Sequence, residues 1–255
     1  MRYFIELSYK GTNYHGWQRQ ANGLSVQEVL ESALSTMLKQ PISILGSGRT
    51  DAGVHASQQF AHFDVDNEIK LTSQLLHALN CILPADIAIH TIFPVREEDN
   101  ARFTAFSRYY QYRIGRQKSP FLADLVYVFR YEVDIERMNE AARLLLRYID
   151  FESFSKVRTS VSHYRCKIEM AEWRVEGPHL VFHIKANRFL YGMVRTLVGT
   201  LLDVGQGRMT VDEFEQIILA RDRRKAGRSA PANGLFLVEV GYPKEVFMNK
   251  SGSIQ

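Results

Sequence analysis

The residues best suited to chemistry lie in one short stretch, 46–55, which reads GSGRTDAGVH. Its three glycines allow backbone conformations that a Cβ would forbid, and they surround the carboxylate of Asp51 and the guanidinium of Arg49. A guanidinium two residues away can keep a carboxylate ionised even where it is buried. An aspartate in a loop can also cap the turn through its own backbone, so this composition fits either a reactive acid or a turn residue.

Alternating apolar residues on both sides of this stretch predict strands over 42–45 and 58–65. A glycine-rich loop that binds phosphate instead runs from a strand into a helix, and it ends in Gly-Lys-Ser/Thr or follows Gly-x-Gly-x-x-Gly. Neither pattern is present in the sequence around Asp51. The loop is therefore expected to hold Asp51 between two strands and not to bind a nucleotide phosphate.

The stretch 48–56, GRTDAGVHA, resembles the catalytic motif of the TruA family of tRNA pseudouridine synthases, in which the aspartate is the essential nucleophile. By this resemblance Asp51 is the catalytic residue. The similarity runs from Tyr3 to about Tyr242 and recurs at separate motifs that follow the family's order. One of them is the Tyr-x-Gly-Trp-Gln pattern that begins at Tyr14.

Three further motifs carry the resemblance in the second half of the chain. The run 108–112, RYYQY, resembles the segment that supplies the family's active-site tyrosine, which maps onto Tyr110. The segment 185–195 resembles the helix start that lines the same cleft, and it contains Asn187 and Arg195. The segment 234–237, with Leu235, resembles the family's closing strand.

The resemblance implies that a uridine within RNA is isomerised: its N1 glycosidic bond breaks, and C5 is joined to the same sugar carbon. Asp51 starts the reaction either by attacking the sugar or by removing a proton to give a glycal, and the sequence leaves both routes open. A stacked uridine must first be flipped out of its helix. By the resemblance, Tyr110 is expected to stack on the uracil and is a candidate to move its proton. Without the resemblance, a packed aromatic of the sheet is an equally good interpretation of Tyr110. Arg49 is expected to pair with Asp51 or to fill the space left by the base, and Arg195 to hold Asp51 or a phosphate.

Other basic segments have two interpretations each. Segment 10–20 combines glycine, aromatic rings and the cations Lys10 and Arg19, which suits RNA binding but also a surface loop anchored by aromatics. The run 221–228 has five cations and one acid, enough for several phosphate contacts or for a solvated loop.

The histidines are interpreted as structural residues. His55 lies beside the catalytic loop, but the implied chemistry has no clear need for it. His179 and His183 could share a strand face, but they have no nearby third residue that would complete a metal site.

The elements that position these residues alternate between strands and helices in both halves. Capping boxes at Ser25 and Thr210 begin two helices, a helical period follows Asn187, and a hairpin spans 167–186. We therefore predict an α+β fold of two ferredoxin-like or RRM-like α/β subdomains, 1–103 and 104–245, followed by a frayed tail, 246–255. Their mostly antiparallel sheets are expected to join into one central sheet with helices packed on it and a central cleft.

Composition restricts the class of protein. A net charge of +4 and a pI near 9.0 suit a polyanionic partner. No apolar window reaches the ~18 residues of a membrane span, so a cytosolic protein without membrane contact is expected. Cys81 and Cys166 lie far apart without a C-x-x-C partner, which argues against a disulfide framework and a zinc ribbon. No nucleotide-cofactor motif or metal site is found in the sequence.

The function favoured by the sequence is that of a tRNA pseudouridine synthase. The resemblance implies action on uridines 38 to 40 of the anticodon arm, by a homodimer in which one tRNA spans both subunits. The competing hypothesis is a non-catalytic RNA-binding protein with exposed aromatics on ferredoxin-like sheets. A glycosidase is disfavoured because the loop offers one acid and no second carboxylate nearby.

Overall fold

The chain forms two compact units that both mix strands and helices. The computed structural model describes residues 1–157 and 162–252. The chain divides into a first unit, Met1–Phe106 with Leu237–Gln255, and a second unit, Ser107–Phe236. The predicted α+β class is confirmed at this level, because helices pack on hydrogen-bonded strands in each unit. Within the described ranges, none of the helices combines the length and the apolar character needed to cross a membrane.

The first unit contains an antiparallel arrangement of β1 to β4 with two helices. β1 lies between β4 and β3, and β2 pairs with the other side of β3, so the spatial order is β4-β1-β3-β2. The elements are β1 (Arg2–Tyr9), α1 (Val26–Leu38), β2 (Leu45–Gly46), β3 (His55–Asp64), α2 (Ser73–Ile82) and β4 (Ile87–Val95).

Helix α1 forms where the sequence predicts it. Its N-cap, Ser25, accepts a hydrogen bond from the backbone N–H of Glu28 at 3.2 Å, which satisfies one of the helix's first donors. Leu30 and Leu34 of its apolar stripe are fully buried, and burial of these side chains stabilises the helix. The helix ends where Lys39 adopts a left-handed conformation, with φ of 54°.

The strand predicted over 42–45 is wrong in extent, because only Leu45–Gly46 pairs with β3. The backbone N–H of Ile42 instead donates to Ser35 Oγ at 2.9 Å, and that of Ile44 donates to Glu31 Oε1 at 3.0 Å. Both acceptors are side chains of α1. The segment before the Asp51 loop is therefore held by hydrogen bonds to α1 instead of continuing the sheet.

The C-terminal segment completes the first unit. β9 (Leu235–Gly241) begins in the second unit and enters the first, where Gly241 O accepts the backbone N–H of Phe106 at 2.9 Å. A 3₁₀ helix follows over Lys244–Gly252, and residues 253–255 lie outside the described ranges. Val246 is buried, and the ring of Phe247 lies 5.8 Å from that of Phe93.

The second unit contains a predominantly antiparallel sheet with helices beside it. β8 lies between β5 and β7, and the short β6 pairs in parallel with the end of β5. The elements are β5 (Ser107–Gly115), β6 (Tyr127–Val128), α3 (Ile135–Leu144), β7 (Ile168–Glu176), β8 (His179–Ala186), α4 (Met193–Gly205) and α5 (Val211–Ala220). The predicted hairpin is confirmed as β7 and β8.

Local capping signals predict the helices of this unit well, except at the start of α4. Thr210 and Glu213 form both hydrogen bonds of the predicted capping box, and Asp134 caps α3. The helical spacing that follows Asn187 predicts the start of the helix too early, because α4 begins at Met193. Gly192 precedes it in a left-handed conformation, with φ of 71°, so the intervening residues form a turn.

Two buried histidines make stability depend on pH. Burial lowers the pKa of His62 in the first unit and of His183 in the second. Protonation is therefore easier in the unfolded chain, where a histidine pKa is about 6.5. The stabilisation is present above that value and is lost as the pH falls below it. We expect the denaturation midpoint in urea to fall steadily between about pH 7 and pH 5.

Replacement of one histidine isolates its share of this dependence. His62 Nδ1 accepts the backbone N–H of Ala101 at 3.1 Å, and a glutamine oxygen is a neutral acceptor that does not titrate in this range. His62→Gln should flatten the decline, whereas His77→Gln, at an exposed position on α2, should leave it unchanged. Equal slopes for His62→Gln and the unchanged protein would contradict this explanation.

Candidate active site

The loop that carries Asp51 is anchored at its start by β3. The backbone N–H of Ser47 donates to Phe60 O at 2.7 Å, and the Ser47 hydroxyl bonds to the side-chain oxygen of Gln59. The Gln59 amide nitrogen in turn donates to Gly48 O at 3.2 Å. Ser47 and Gln59 are both buried. One buried amide side chain thus fixes the entry to the loop.

The segment that follows β1 holds the residues on both sides of Asp51. The backbone N–H of Trp17 donates to Thr50 O at 3.2 Å, and that of Gly53 donates to Tyr14 O at 3.3 Å. The hydroxyls of Tyr9 and Thr50 bond to each other at 2.8 Å inside the protein. Asp51 itself is half-buried. Its position is therefore set by neighbours that are fixed on either side.

The turn at Asp51 closes through the backbone. The N–H of Val54 donates to Asp51 O at 3.1 Å, and Gly53 supplies the left-handed conformation with φ of 77°. This bond uses the main-chain carbonyl and not the carboxylate. This main-chain bond and the conformation of Gly53 define the turn that presents Asp51.

Two glycines bring the segment after β1 into close contact with the loop. A Cβ on Gly11 would lie 1.9 Å from Val54 O, and a Cβ on Gly16 would lie 2.4 Å from Thr50 O. Gly16 also has a φ of 90°, which disfavours any other residue. The glycines of the segment 10–20 therefore have a packing reason that its composition alone does not reveal.

His55 is a structural residue of this loop, in agreement with the sequence interpretation. It is buried, and its Nδ1 accepts the backbone N–H of Gly11 at 3.0 Å. Since Nδ1 accepts, the ring proton of the neutral form lies on Nε2. The imidazole joins the end of the loop to the segment that follows β1.

The predicted cations of the first unit lie around this loop. Arg49 is exposed, and its Nε donates to Gln18 Oε1 at 3.2 Å. Lys10 is half-buried, and its backbone N–H donates to Asp86 O at 2.8 Å. Arg19 is exposed, and its Nη1 lies 3.6 Å from Glu31 Oε2. The structure thus adds Gln18 to the predicted residues, as the partner of Arg49.

The other four predicted residues belong to the second unit. Tyr110 lies on β5 opposite Ile184, and only 9% of it is exposed. Its ring meets that of Phe189 edge to face, with centroids 5.2 Å apart. Phe189 follows Asn187 in the turn before α4. The edge-to-face contact connects this turn to the tyrosine strand and holds the Tyr110 ring in one orientation.

Asn187, Arg195 and Leu235 are all engaged in the structure of the second unit. Asn187 Oδ1 accepts the backbone N–H of Lys167 at 2.8 Å. Arg195 Nε donates to Ala230 O at 2.7 Å, and the backbone N–H of Ala230 returns a bond to Arg195 O. Leu235 is buried at the start of β9. These contacts position the three residues without excluding a role in binding.

The basic run 221–228 is largely committed to internal contacts. Arg221 Nε lies 3.2 Å from Asp150 Oδ2, and Arg224 pairs with Asp222 at 2.8 Å, which lowers the pKa of Asp222 to about 2. Arg223 donates to the carbonyl oxygens of residues 226 and 227. Three of its guanidiniums thus bind protein groups, so the run has a structural role whether or not it also meets phosphate.

No cluster of three or more His, Cys, Asp or Glu side chains suited to a metal ion occurs within 1–157 and 162–252. His183 lies 2.5 Å from the Tyr109 hydroxyl through Nδ1 and 2.8 Å from Glu176 Oε1 through Nε2. Nδ1 is therefore hydrogen-bonded within the sheet of the second unit, and Nε2 lies close to a carboxylate. This agrees with the interpretation of His183 as a hairpin residue.

Comparison with known proteins assigns the family. The profile of a family described as tRNA pseudouridine synthase matches residues 7–104 and 141–243. A tRNA pseudouridine synthase A of Parabacteroides distasonis is 51% identical over 246 residues, which cover 96% of this chain and 98% of that protein. Proteins of the same name are 50% identical in Bacteroides thetaiotaomicron, over 98% of this chain and 94% of the relative, and 38% identical in Exiguobacterium sibiricum, over 95% and 97%.

A chain in the crystal structure of a Cbf5-Nop10-Gar1 complex overlaps more distantly, with a TM-score of 0.34 and 12% identity over 93% of this chain and 58% of that chain.

The family profile covers well over half of the sequence, including the Asp51 loop, Asn187 and Arg195. The relatives match nearly end to end at up to 51% identity. The chain therefore belongs to the tRNA pseudouridine synthase family.

Proposed function

We propose that this protein isomerises uridine to pseudouridine in tRNA, with Asp51 as the residue that starts the reaction. Membership of the family and the names of the relatives support the activity. The observation that carries the role of Asp51 is its rigid setting. The residues on both sides of it are hydrogen-bonded to the segment after β1 or to Tyr9 at its end, and the backbone N–H of Val54 donates to its main-chain carbonyl.

The chemistry suits a single carboxylate. Breaking the N1 glycosidic bond and joining C5 to the same sugar carbon gives an isomer, so the overall reaction consumes no second reactant. N1 gains a proton, and C5 loses one. A carboxylate can serve either as the nucleophile or as the base that abstracts a proton. A preorganised loop supplies the orientation on which such a step depends.

We assign supporting roles to residues of both units. Tyr110 is proposed to stack on the extruded uracil, since Phe189 holds its ring in one orientation. Arg49 is proposed to fill the position that the base leaves, because it is exposed on the loop beside Asp51. Arg195 is proposed to bind a phosphate from a guanidinium whose Nε is anchored on Ala230.

The remaining predicted residues are proposed to contact RNA around this centre. Lys10 and Arg19 lie in the segment that holds the catalytic loop, and Asn187 lies in the turn that leads to α4. Leu235 is proposed to form part of the binding pocket's apolar wall. The proposed substrates are uridines 38, 39 and 40 of the anticodon arm, modified in the cytoplasm.

We also propose that both units are ferredoxin-like and that the enzyme is a homodimer. The spatial order β4-β1-β3-β2, with all pairs antiparallel, supports the split βαβ arrangement of the first unit. In the second unit, the order β5-β8-β7 with α3 before the hairpin supports the same arrangement. The dimer follows from the resemblance to the family, and light scattering during gel filtration measures it directly.

A conversion assay on a defined RNA tests the proposed function. A transcript of a tRNA with uridine at 38, 39 and 40 is incubated with the purified protein, and pseudouridine is then mapped by nucleotide. Conversion at these positions and not in the acceptor stem is expected. A non-catalytic RNA-binding protein would bind the transcript and leave every uridine unchanged, which would exclude the proposed activity.

A further inference from the structure

Two buried polar side chains of α1 connect an RNA-binding candidate to the entry of the catalytic loop. Gln27 and Glu31 lie one helical turn apart, and only 9% and 8% of these residues are exposed. The Gln27 amide nitrogen donates to Glu31 Oε1 at 2.9 Å, so the two side chains form one unit. Polar groups at this depth are retained where they satisfy specific partners.

On one side, this pair holds the segment 17–19. The backbone N–H of Gln27 donates to Trp17 O at 3.1 Å, and Gln27 Oε1 accepts the backbone N–H of Arg19 at 3.1 Å. The second carboxylate oxygen of Glu31 lies 3.6 Å from Arg19 Nη1. The main chain and the guanidinium of Arg19 are therefore both directed by α1.

On the other side, the same pair holds the chain that enters the Asp51 loop. Gln27 Nε2 donates to Ile44 O at 3.0 Å, and Glu31 Oε1 accepts the backbone N–H of Ile44 at 3.0 Å. Both backbone groups of Ile44 are thus satisfied by side chains two residues before Gly46. This is the contact that shortens the predicted strand.

The charge on Glu31 requires a separate explanation. A neutral glutamine has an oxygen that could accept the same N–H of Ile44, and burying a carboxylate costs free energy unless a cation compensates it. The facing cation is Arg19, whose side chain is 64% exposed while that of Glu31 is 11% exposed. A guanidinium that is already held by a buried carboxylate loses less conformational freedom when it binds a phosphate.

We propose that Glu31 is a positioning residue for tRNA binding: it holds the Arg19 guanidinium in place for a phosphate contact. The tRNA as ligand rests on the proposed function. Through Ile44, the same side chain fixes the start of the loop that carries Asp51. The buried carboxylate of Glu31 thereby positions both an RNA-binding side chain and the start of the reactive loop.

A double-mutant cycle on the full-length protein tests this role. Arg19→Ala, Glu31→Gln and the double variant are compared for equilibrium binding of the unmodified tRNA transcript at several KCl concentrations. Arg19→Ala should weaken binding about fivefold and reduce the slope of log Kd against log salt by about one, as expected for one lost phosphate contact. Glu31→Gln should weaken binding about threefold and leave the slope nearly unchanged, since the Arg19 charge remains.

The decisive result is the double variant, which should bind no more weakly than Arg19→Ala alone. Full addition of the two losses, or unchanged affinity in either single variant, would overturn the proposal. Glu28→Gln, on the same helix, is the matched control and should bind normally.

Thermal denaturation separates positioning from folding. If Glu31→Gln melts far below the unchanged protein, Glu31→Asp replaces it in the cycle, because it keeps the charge but shortens the reach to Arg19. The same non-additivity with Arg19→Ala is then expected, and additive losses would again overturn the proposal. The double-mutant cycle measures RNA affinity and not activity. It therefore tests the role of Glu31 even if the unchanged protein forms no pseudouridine.

Discussion

Replacing Asp51 with asparagine is expected to reduce pseudouridine formation by more than about a thousandfold, the scale on which enzymes depend on a nucleophile or base. The substitution keeps the size of the side chain and removes its charge and its nucleophilic oxygen. Binding of tRNA should change by less than about twofold, since the turn closes through the Asp51 carbonyl and the flanking residues keep their contacts. Single-turnover release of tritium from C5-labelled uridine measures the rate, because C5 loses its proton when it joins the sugar.

The matched control for this substitution is Asp66→Asn, which removes an exposed acid just beyond β3. It should convert tRNA at the unchanged rate. Substantial activity in Asp51→Asn would show that another group starts the reaction. Loss of tRNA binding together with activity would instead indicate that the carboxylate maintains the loop.

Adding a methyl group to Gly11 or Gly16 is expected to produce the second large effect. The new Cβ would lie 1.9 Å from Val54 O in one case and 2.4 Å from Thr50 O in the other, and both contacts are with backbone. The loop or the segment after β1 must therefore move. Overpacking of this kind costs about 1–3 kcal/mol, and a displacement of about 1 Å at a reacting group can reduce the rate about a hundredfold.

Thermal denaturation and single-turnover rates together measure this effect. Gly16→Ala has a second source of strain besides the short contact, because Gly16 has a φ of 90°, which an alanine rarely adopts. Gly48→Ala is the control for stability, since a Cβ there would have nothing within 4 Å. Its melting temperature should stay at or slightly above that of the unchanged protein. If both Gly11→Ala and Gly16→Ala kept the melting temperature and the rate of the unchanged protein, the close contact between the segment after β1 and the loop would not position Asp51.

These two predictions concern different parts of one design. Asp51 is the residue proposed to supply the reactive oxygen, while Gly11 and Gly16 allow the preceding segment to approach the Asp51 loop closely. Neither glycine contributes an atom to the reaction. Their expected effect arises because a catalytic loop works only within a narrow range of positions.

Local signals predicted much of the secondary structure. Capping residues interact three positions along the chain, and the apolar stripe of α1 repeats at helical spacing, so both can be read from adjacent residues. The hairpin of β7 and β8 is also local, because a short turn joins its strands. The family resemblance located Asp51, and the profile match over 7–104 and 141–243 supports that assignment of family.

Other features depend on partners that lie far apart in the sequence. The predicted strand at 42–45 shortens because Ser35 and Glu31 take its backbone donors. In the basic run 221–228, Arg221 pairs with Asp150, about seventy residues earlier. Hydrophobicity and charge describe each residue alone, so neither contact could be derived from the pattern of the segment itself.

The sequence by itself determined the chemistry: an acid in a glycine-rich loop, a basic protein, and the order of strands and helices around them. The tertiary structure alone decided how that acid is held, with Thr50 bound to Tyr9 and Trp17, and Gly53 bound to Tyr14. These bonds join segments about forty residues apart along the chain. Such contacts form only when the folded sheet brings the segments together, because their backbone donors and acceptors must find partners away from water.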